Sequence, residues 1–239
     1  AWVSAEPLND SVTDVGVRGE PSIDSIAALA PDLVVTTSDL PQAAIAQLEE
    51  FTSVLVVRAA DASKGIGQMR ENLGIIATVT GTENVADQLL ADFDARLAEG
   101  AAALDAAGLT GQQFAFADAY LDGSQVSIRP FAEGSLIAAV TEELGMVNAW
   151  QLEGDADYGL AQTDVEGLTA LGDVHFLYIV NDTDGGDPFA EVLADNAIWQ
   201  SLPFVRSGNV HRLSDGIWMF GGPSSMEQYI DAVVAELTA

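Results

Sequence analysis

The sequence predicts an α/β protein of two lobes, each a parallel-rich sheet with flanking helices, joined by one long helix. Apolar runs rich in β-branched residues alternate with helical patterns, at residues 33–36 and 53–57 and again at 175–180. This alternation is typical of parallel sheets covered by helices. Between the two regions, residues 83–107 form a helical pattern longer than one small domain needs.

The long helical segment has an apolar stripe and a polar back. The stripe consists of Val85, Leu89, Phe93, Leu97, Ala101 and Leu104, with Leu90 beside it. Thr80 followed by Glu83 predicts a capping box, and Gly108 predicts a left-handed helix stop. A helix of this length spans about 37 Å. We interpret it as a rigid strut, with lobes at 1–82 and 109–239 and the linking helix at 83–108; a surface helix of a single domain is the alternative.

The first lobe follows a β-α-β-α-β-α order, which favours a parallel sheet. Predicted in turn are a strand at 15–17, a turn at 19–21, a helix at 22–29, a strand at 33–36, a helix at 41–50, a strand at 53–57 and a helix at 64–79. Pro31 separates a helix from a strand because it cannot continue either hydrogen-bond pattern.

The second lobe repeats the alternation. Predicted are strands at 113–119, 125–128, 175–180 and 210–213, and helices at 133–144, 165–171, 188–195 and 224–237. Gly145 marks the end of one helix. The segments at 21–36 and 163–179 share the order of cap, acid, apolar helix, break and apolar strand. This weak two-fold echo favours two related lobes.

Composition excludes several classes of function. The formal charge of −29 arises from 37 acidic residues against one Lys and seven Arg, so nucleic acid is not an expected partner. There are no cysteines, and the two histidines lack zinc-site spacing, so no metal site is expected. No apolar run is long enough to span a bilayer, and residues 1–10 do not resemble a secretory leader.

The sequence contains no recognisable catalytic arrangement. A nucleophile elbow, a phosphate-binding loop and a dinucleotide-binding glycine pattern are all missing. With 37 carboxylates, acidic pairs occur at every spacing by chance. We therefore expect a protein that is not an enzyme.

A few rare side chains are better candidates for ligand binding. Arg18 follows a predicted strand, where parallel sheets present ligand-contacting groups, and Arg129 lies at a matching strand end. Either arginine could instead be solvated on an acidic surface. Tyr158 and Trp218 fall in predicted loops, where aromatic side chains often face ligands.

Four blocks of sequence resemble a known family. The blocks are, in order, VGVRGEPSIDSIAALAPDLVV, NAWQ, IWQSLPFVRSGNVHRL and IWMFGGPSSM. They are similar to segments of the substrate-binding proteins of iron–siderophore ABC importers, above all the hydroxamate-siderophore binders, and follow the same order. The similarity runs from about residue 14 to the C-terminus. It implies two α/β lobes joined by a long helix, a ferric siderophore of hydroxamate type bound between them with little closure, and delivery to an ABC permease.

The resemblance implies roles for individual residues. Arg18 matches the family arginine that hydrogen-bonds the hydroxamate oxygens, and Trp218 matches a cleft tryptophan beside Phe220. Tyr158 falls where the family often has an aromatic residue, and Arg129 is assigned to a loop at the cleft edge. Asp39 stands where hydroxamate binders often have tyrosine, so the identity of the siderophore stays open.

The resemblance also implies partners and a location. Asp24 and Glu166 match positions at which one acid per lobe docks arginines of the permease; a helix-start acid favoured by the dipole is the alternative for each. An extracytoplasmic monomer is expected, tethered to the membrane only if a lipidated N-terminus precedes this sequence. The first lobe is expected to lack the family's initial strand and helix.

Other ligands are open within this architecture. Haem or a corrinoid could occupy the same cleft, with Tyr158, Tyr120 or a histidine as an axial ligand to haem. Outside the class, an α/β enzyme or a cell-surface interaction domain is the less favoured alternative. No resident cofactor is expected, because the metal would arrive already chelated.

Overall fold

A computed structural model describes residues 3–123, 125–183 and 185–239. Its strands are β1 (Gly16–Val17), β2 (Glu20–Pro21), β3 (Leu33–Thr37), β4 (Ser53–Val57), β5 (Gln113–Asp122), β6 (Gln125–Pro130), β7 (Val147–Asn148), β8 (His175–Ile179) and β9 (Val210–Arg212). Its α-helices are α1 (Ile23–Leu29), α2 (Gln42–Glu49), α3 (Ile66–Thr80), α4 (Glu83–Ala106), α5 (Leu136–Glu143), α6 (Ala197–Ser201), α7 (Pro203–Ser207) and α8 (Pro223–Leu237). A 3-10 helix covers Gly167–Ala170 and a π-helix covers Pro188–Val192. The prediction of an α/β fold is confirmed.

The N-terminal half, residues 3–82, contains two small sheets. Strands β1 and β2 form an antiparallel hairpin, while β3 and β4 pair in parallel with Leu33 opposite Ser53. A small core of Ile26, Leu40, Ile45 and Leu48 joins α1 and α2 to the parallel pair. The predicted turn at 19–21 is wrong, because Glu20–Pro21 is the second strand of the hairpin and the turn lies one step earlier.

The C-terminal half, residues 109–239, is built on a five-stranded sheet. Its order is β6-β5-β8-β9, with β7 also paired to β5, and every pairing except β5 with β6 is parallel. Successive residues of β5 face opposite cores: Phe114 and Phe116 lie on one side, and Ala115 and Ala117 on the other. Helices cover both faces, so the apolar runs of β5 and β8 are buried.

Helix α4 confirms the predicted long helix. It ends before Gly108, whose φ of +77° is the left-handed stop that the sequence predicts. The predicted capping box is wrong, because the Thr80 hydroxyl donates to the Ile76 carbonyl and the helix begins after Thr82 without a side-chain cap. Of the predicted stripe, Phe93 and Leu104 are fully buried, whereas Val85 is 58% exposed.

Helix α4 is an integral part of the C-terminal core. It packs against α8 and α3, and its buried Phe93 and Leu104 belong to the same cluster as Phe116 and Tyr229. The interpretation of α4 as a rigid strut and the lobe boundaries at 82 and 108 stay predictions.

The two halves meet through the loops that follow β4 and β7. The Ala62 amide donates to the Ala156 carbonyl at 3.2 Å, and Arg58 Nη2 lies 2.8 Å from Asp157 Oδ1. Gly134 sits so close to the Ala62 backbone that a Cβ there would clash, at a φ of +86° that suits glycine. The helix predicted from residue 133 accordingly begins only at Leu136, after the Ser135 N-cap.

Candidate functional site

Arg18 lies at the tip of the β1–β2 hairpin. The Ser22 amide closes the base of this hairpin by donating to the Val15 carbonyl at 2.7 Å. The predicted position at the end of a parallel strand is wrong, since β1 pairs antiparallel with β2 and with no other strand of the described residues. The arginine side chain is 60% exposed, and its Nη1 is 3.5 Å from Asp39 Oδ2. A tight hairpin thus presents a guanidinium that is only loosely paired.

Asp39 connects the two halves of the protein at this point. It follows β3, and its Oδ2 accepts a hydrogen bond of 2.7 Å from the Tyr158 hydroxyl. Burial and the neighbouring Asp39 carboxylate both raise the pKa of Tyr158. The phenol therefore stays protonated and acts as a hydrogen-bond donor across the cleft.

The loop that carries Tyr158 is fixed by a single carboxylate. Asp155 Oδ1 accepts from the amides of Asp157 at 3.0 Å and Tyr158 at 2.7 Å, and Oδ2 accepts from the Leu160 amide at 3.0 Å. Three backbone donors on one side chain hold the loop in a defined turn. Tyr158 lies in a loop, as predicted, but the loop is pre-shaped.

Aromatic rings form the wall opposite Arg18. Phe220 is central: its ring centroid is 5.3 Å from Trp218, 5.4 Å from Tyr158 and 5.7 Å from Phe131. The first two pairs meet edge to face, and the third is stacked. The Trp218 ring lies so close to the Gly221 backbone that a Cβ at Gly221 would be 2.6 Å from Trp218 Cδ1. The rings give the cleft a rigid carbon surface.

Arg129 reaches the same wall from the C-terminal sheet. The expected position on a cleft-edge loop is wrong, because Arg129 lies within β6, opposite Asp118 of β5. Its Nε donates to Asp118 Oδ1 at 2.9 Å, its Nη2 donates to Oδ2, and the guanidinium carbon is 5.6 Å from the Phe220 centroid. Burial raises the pKa of Asp118 even though Arg129 acts in the opposite direction.

These side chains surround two adjoining cavities of about 400 and 460 Å³. Arg18, Tyr158, Trp218 and Phe220 line both cavities. We call the combined space the cleft. Arg129 lines the larger cavity, and Asp39 contacts two of the shared residues. The structure therefore brings together all six residues that the sequence singles out for ligand binding.

Sequence reasoning missed the carboxylates that pair with Arg129 in the cleft and with Arg58 beside it. Asp118 is only 8% exposed and holds Arg129, while Asp61 and Asp157 hold Arg58. A signal for Asp118 was available, because it interrupts an otherwise apolar strand. The approach of Asp157 to Arg58 joins residues 99 apart and has no local signal.

The two acids assigned to permease docking lie away from the cleft. Asp24 is exposed in the first turn of α1, and Glu166 is exposed at the N-cap of the 3-10 helix at 167–170. Neither residue lines the cavities. Both occupy helix starts in separate halves, as the two-fold echo predicts.

Two further observations bear on chemistry. No cluster of three or more His, Asp or Glu side chains suited to a metal ion occurs within the described parts of the chain. Tyr120, considered above as a haem ligand, is 49% exposed on β5 and lines neither cavity.

In the same described residues, no helix is both long and apolar enough to cross a bilayer.

A family model described as periplasmic binding protein matches residues 1–215. The chain belongs to the periplasmic binding protein family. It is similar to the iron(3+)-hydroxamate-binding protein FhuD of Escherichia coli strain K12, with 24% identity over 96% of this chain and 74% of that protein. It is also similar to the probable siderophore-binding lipoprotein YfiY of Bacillus subtilis strain 168, with 22% identity over 92% of this chain and 66% of that protein.

Solved structures show the same fold. The Fe³⁺–Desferal-bound siderophore-binding protein FhuD of Vibrio cholerae has a TM-score of 0.84 and 24% identity, covering 100% of this chain and 86% of that one. FeuA of Bacillus subtilis, complexed with ferri-bacillibactin, has a TM-score of 0.73 and 20% identity over 92% of this chain and 75% of that one. Membership of this family of binding proteins agrees with an extracytoplasmic location.

Proposed function

We propose that this protein captures a ferric siderophore of hydroxamate type in the cleft and delivers it to an ABC permease. The observation that carries the proposal is the convergence of Arg18 and Arg129, from opposite halves, on one cavity walled by Trp218 and Phe220. Relatives whose names record hydroxamate or siderophore binding support the same assignment.

The cleft chemistry suits such a ligand. A ferric trihydroxamate presents partly negative oxygens around the iron and carbon chains around its outside. Guanidinium groups donate forked hydrogen bonds to oxygens, and aromatic rings cover carbon. Arg18 has the more available donors, because its one carboxylate partner is 3.5 Å away and its side chain is largely exposed. We assign Arg18 as the principal oxygen-binding group and Tyr158 as a second donor.

Delivery requires contact with a permease at the surface. We propose that Asp24 and Glu166 dock basic residues of the permease, one from each half. Their exposure and their matching places at helix starts support this role. The protein would act as an extracytoplasmic monomer without catalytic activity or a resident cofactor.

A tryptophan fluorescence titration tests the proposal. Trp150 and Trp199 are buried, each 6% exposed, whereas Trp218 lines the cleft. A ferric trihydroxamate should quench the fluorescence saturably, and Trp218→Phe should remove most of the quenching. Arg18→Ala should weaken binding by about tenfold or more, as expected for losing a hydrogen bond to a charged group. Arg206→Ala, a change at an exposed position of α7 that lines neither cavity, serves as the matched control.

A ligand panel separates the alternatives. Ferric trihydroxamate, ferric triscatecholate, ferric citrate, haem and a corrinoid should be compared under the same conditions. Binding of haem with a Soret shift, in the absence of any response to iron siderophores, would contradict the proposal. The Tyr158 hydroxyl already donates to Asp39, and its pKa is raised, so ligation of haem iron by its phenolate is disfavoured.

A further inference from the structure

The two arginines that line the cleft, Arg18 and Arg129, and Arg58 beside it, are each paired with a carboxylate. The pairs are Arg18 with Asp39, Arg58 with Asp61 and Asp157, and Arg129 with Asp118. Among the described residues, these three guanidinium groups are therefore paired with four carboxylates. The cleft has no excess positive charge, and it lies in a protein of formal charge −29.

Among these carboxylates, Asp39 has one oxygen at the cleft edge that could accept a further hydrogen bond. Arg18 Nη1, the Tyr158 hydroxyl and the Thr37 hydroxyl all approach its Oδ2. Its Oδ1 has no hydrogen-bond partner among the described residues, and the side chain is 36% exposed. Asp118, by contrast, uses both oxygens on Arg129. One acceptor at the cleft edge is thus available to a donor on a ligand.

Charge distinguishes the classes of ferric siderophore. In a trihydroxamate, three singly charged groups neutralise the ferric ion, whereas a triscatecholate keeps three negative charges. A trihydroxamate with a pendent primary amine has one positive charge at neutral pH. A cleft without surplus positive charge disfavours binding of the trianionic triscatecholate complex and favours binding of the cationic trihydroxamate complex.

We infer that the cleft selects cationic ferric hydroxamates over neutral and anionic ferric siderophores, with Asp39 Oδ1 accepting a hydrogen bond from a pendent ammonium. This inference rests on the proposed function and names the ligand class within it. Asp39 acts as the specificity-determining residue, because it lies between the donors that hold the hydroxamate oxygens and carries the free acceptor.

The sharpest test uses two ligands that differ in a single charge. One is a linear ferric trihydroxamate ending in a primary amine, and the other is its N-acetylated derivative. The wild-type protein should bind the amine form about fivefold more tightly, the upper range for a partly exposed ion pair. In Asp39→Asn this ratio should fall to about one, within the expected scatter of such measurements.

A matched variant distinguishes recognition of the ammonium by Asp39 from electrostatic attraction by the net charge of the whole protein. Asp87→Asn removes an exposed carboxylate from α4, away from the cleft, and should keep the fivefold ratio. Because Asp39→Asn also releases Arg18, it should improve binding of a ferric triscatecholate relative to wild type. Circular dichroism and melting curves establish that both variants are folded.

The outcomes discriminate between the inference and the proposed function. If neither hydroxamate binds the wild-type protein, the proposed function fails. If both bind with equal affinity, the proposed function stands and selection by charge is overturned. If the preference for the amine form persists in Asp39→Asn, the ammonium is bound elsewhere and the role of Asp39 is overturned.

Discussion

Gly100 lies where α4 makes its closest approach to neighbouring helices. A Cβ at this position would be 2.7 Å from Ile230 Cγ2 on α8 and 2.8 Å from Leu144 Cδ2 beside α5. Gly74, in the interior of α3, has open space around the same point. The two glycines therefore allow the same substitution to be made in a crowded and in an uncrowded helix.

The substitution to alanine should have opposite consequences at the two sites. In either helix interior, alanine is favoured over glycine by about 1 kcal/mol. At Gly74 nothing opposes this gain, so Gly74→Ala should raise the melting temperature by about 2–4 °C in a chain of this size. At Gly100 the overpacking cost of about 1–3 kcal/mol exceeds the gain, so Gly100→Ala should be neutral to destabilising by about 2 kcal/mol.

Urea unfolding of both variants beside the wild type measures this difference. The free energies of unfolding of the two variants should differ by about 1–3 kcal/mol, with Gly100→Ala the less stable. Equal stabilisation by both substitutions would refute the close packing of α4 on α8.

Three further predictions concern stability and delivery. Tyr229→Phe should cost about 1 kcal/mol in urea unfolding, because it removes the buried 2.6 Å hydrogen bond to Thr141. The hydrogen bond from the Ser63 hydroxyl lowers the pKa of Asp61 below its ordinary 3.8; burial opposes this shift, and the Ser63 amide and Arg58 add to it. The ionised Asp61 therefore stabilises the fold above pH 3.8, and this stabilisation is lost as the pH falls further. The melting-temperature advantage of wild type over Asp61→Asn should accordingly shrink as pH falls below 3.8. The double change Asp24→Ala and Glu166→Ala should keep siderophore affinity but reduce stimulation of the reconstituted transporter's ATPase.

Each of these predictions has an outcome that contradicts it. Unchanged stability of Tyr229→Phe would mean that the buried hydroxyl pair is not formed. A melting-temperature gap that widens on acidification would reverse the sign assigned to Asp61. Full ATPase stimulation by the double variant would leave both acids as ordinary helix-start residues, and Asp87→Ala provides the matched surface control for that assay.

Local sequence signals predicted the elements well, because their causes are local. The strand at 53–57 was predicted at its observed bounds, and Gly108 ended α4 as expected, since only its own backbone conformation is involved. The prediction of a capping box at Thr80 is wrong because the Thr80 hydroxyl donates to the Ile76 carbonyl, one turn earlier in α3. Likewise, the hairpin β1–β2 depends on two-residue strands that are too short to show a period.

The sequence predicts several residues that the structure places at the cleft, but not how these residues contact one another. Arg18 and Trp218 were singled out by their sequence context and their resemblance to a family, and the structure places both on one cavity. The pairing of each arginine with a carboxylate depends on contacts between distant segments, as with Tyr158 and Asp39, which are 119 residues apart. Periodicity carries no information about such contacts.

The position of bound iron tests the central claim most directly. A crystal of the protein grown with a ferric trihydroxamate, measured at the iron absorption edge, gives an anomalous peak that locates the metal without reference to the ligand's fit. We predict one peak in the cleft, between the Arg18 guanidinium and the Trp218 ring, with hydroxamate oxygens facing Arg18. An iron peak elsewhere, or a saturated complex in which the cleft holds no iron, would contradict the account.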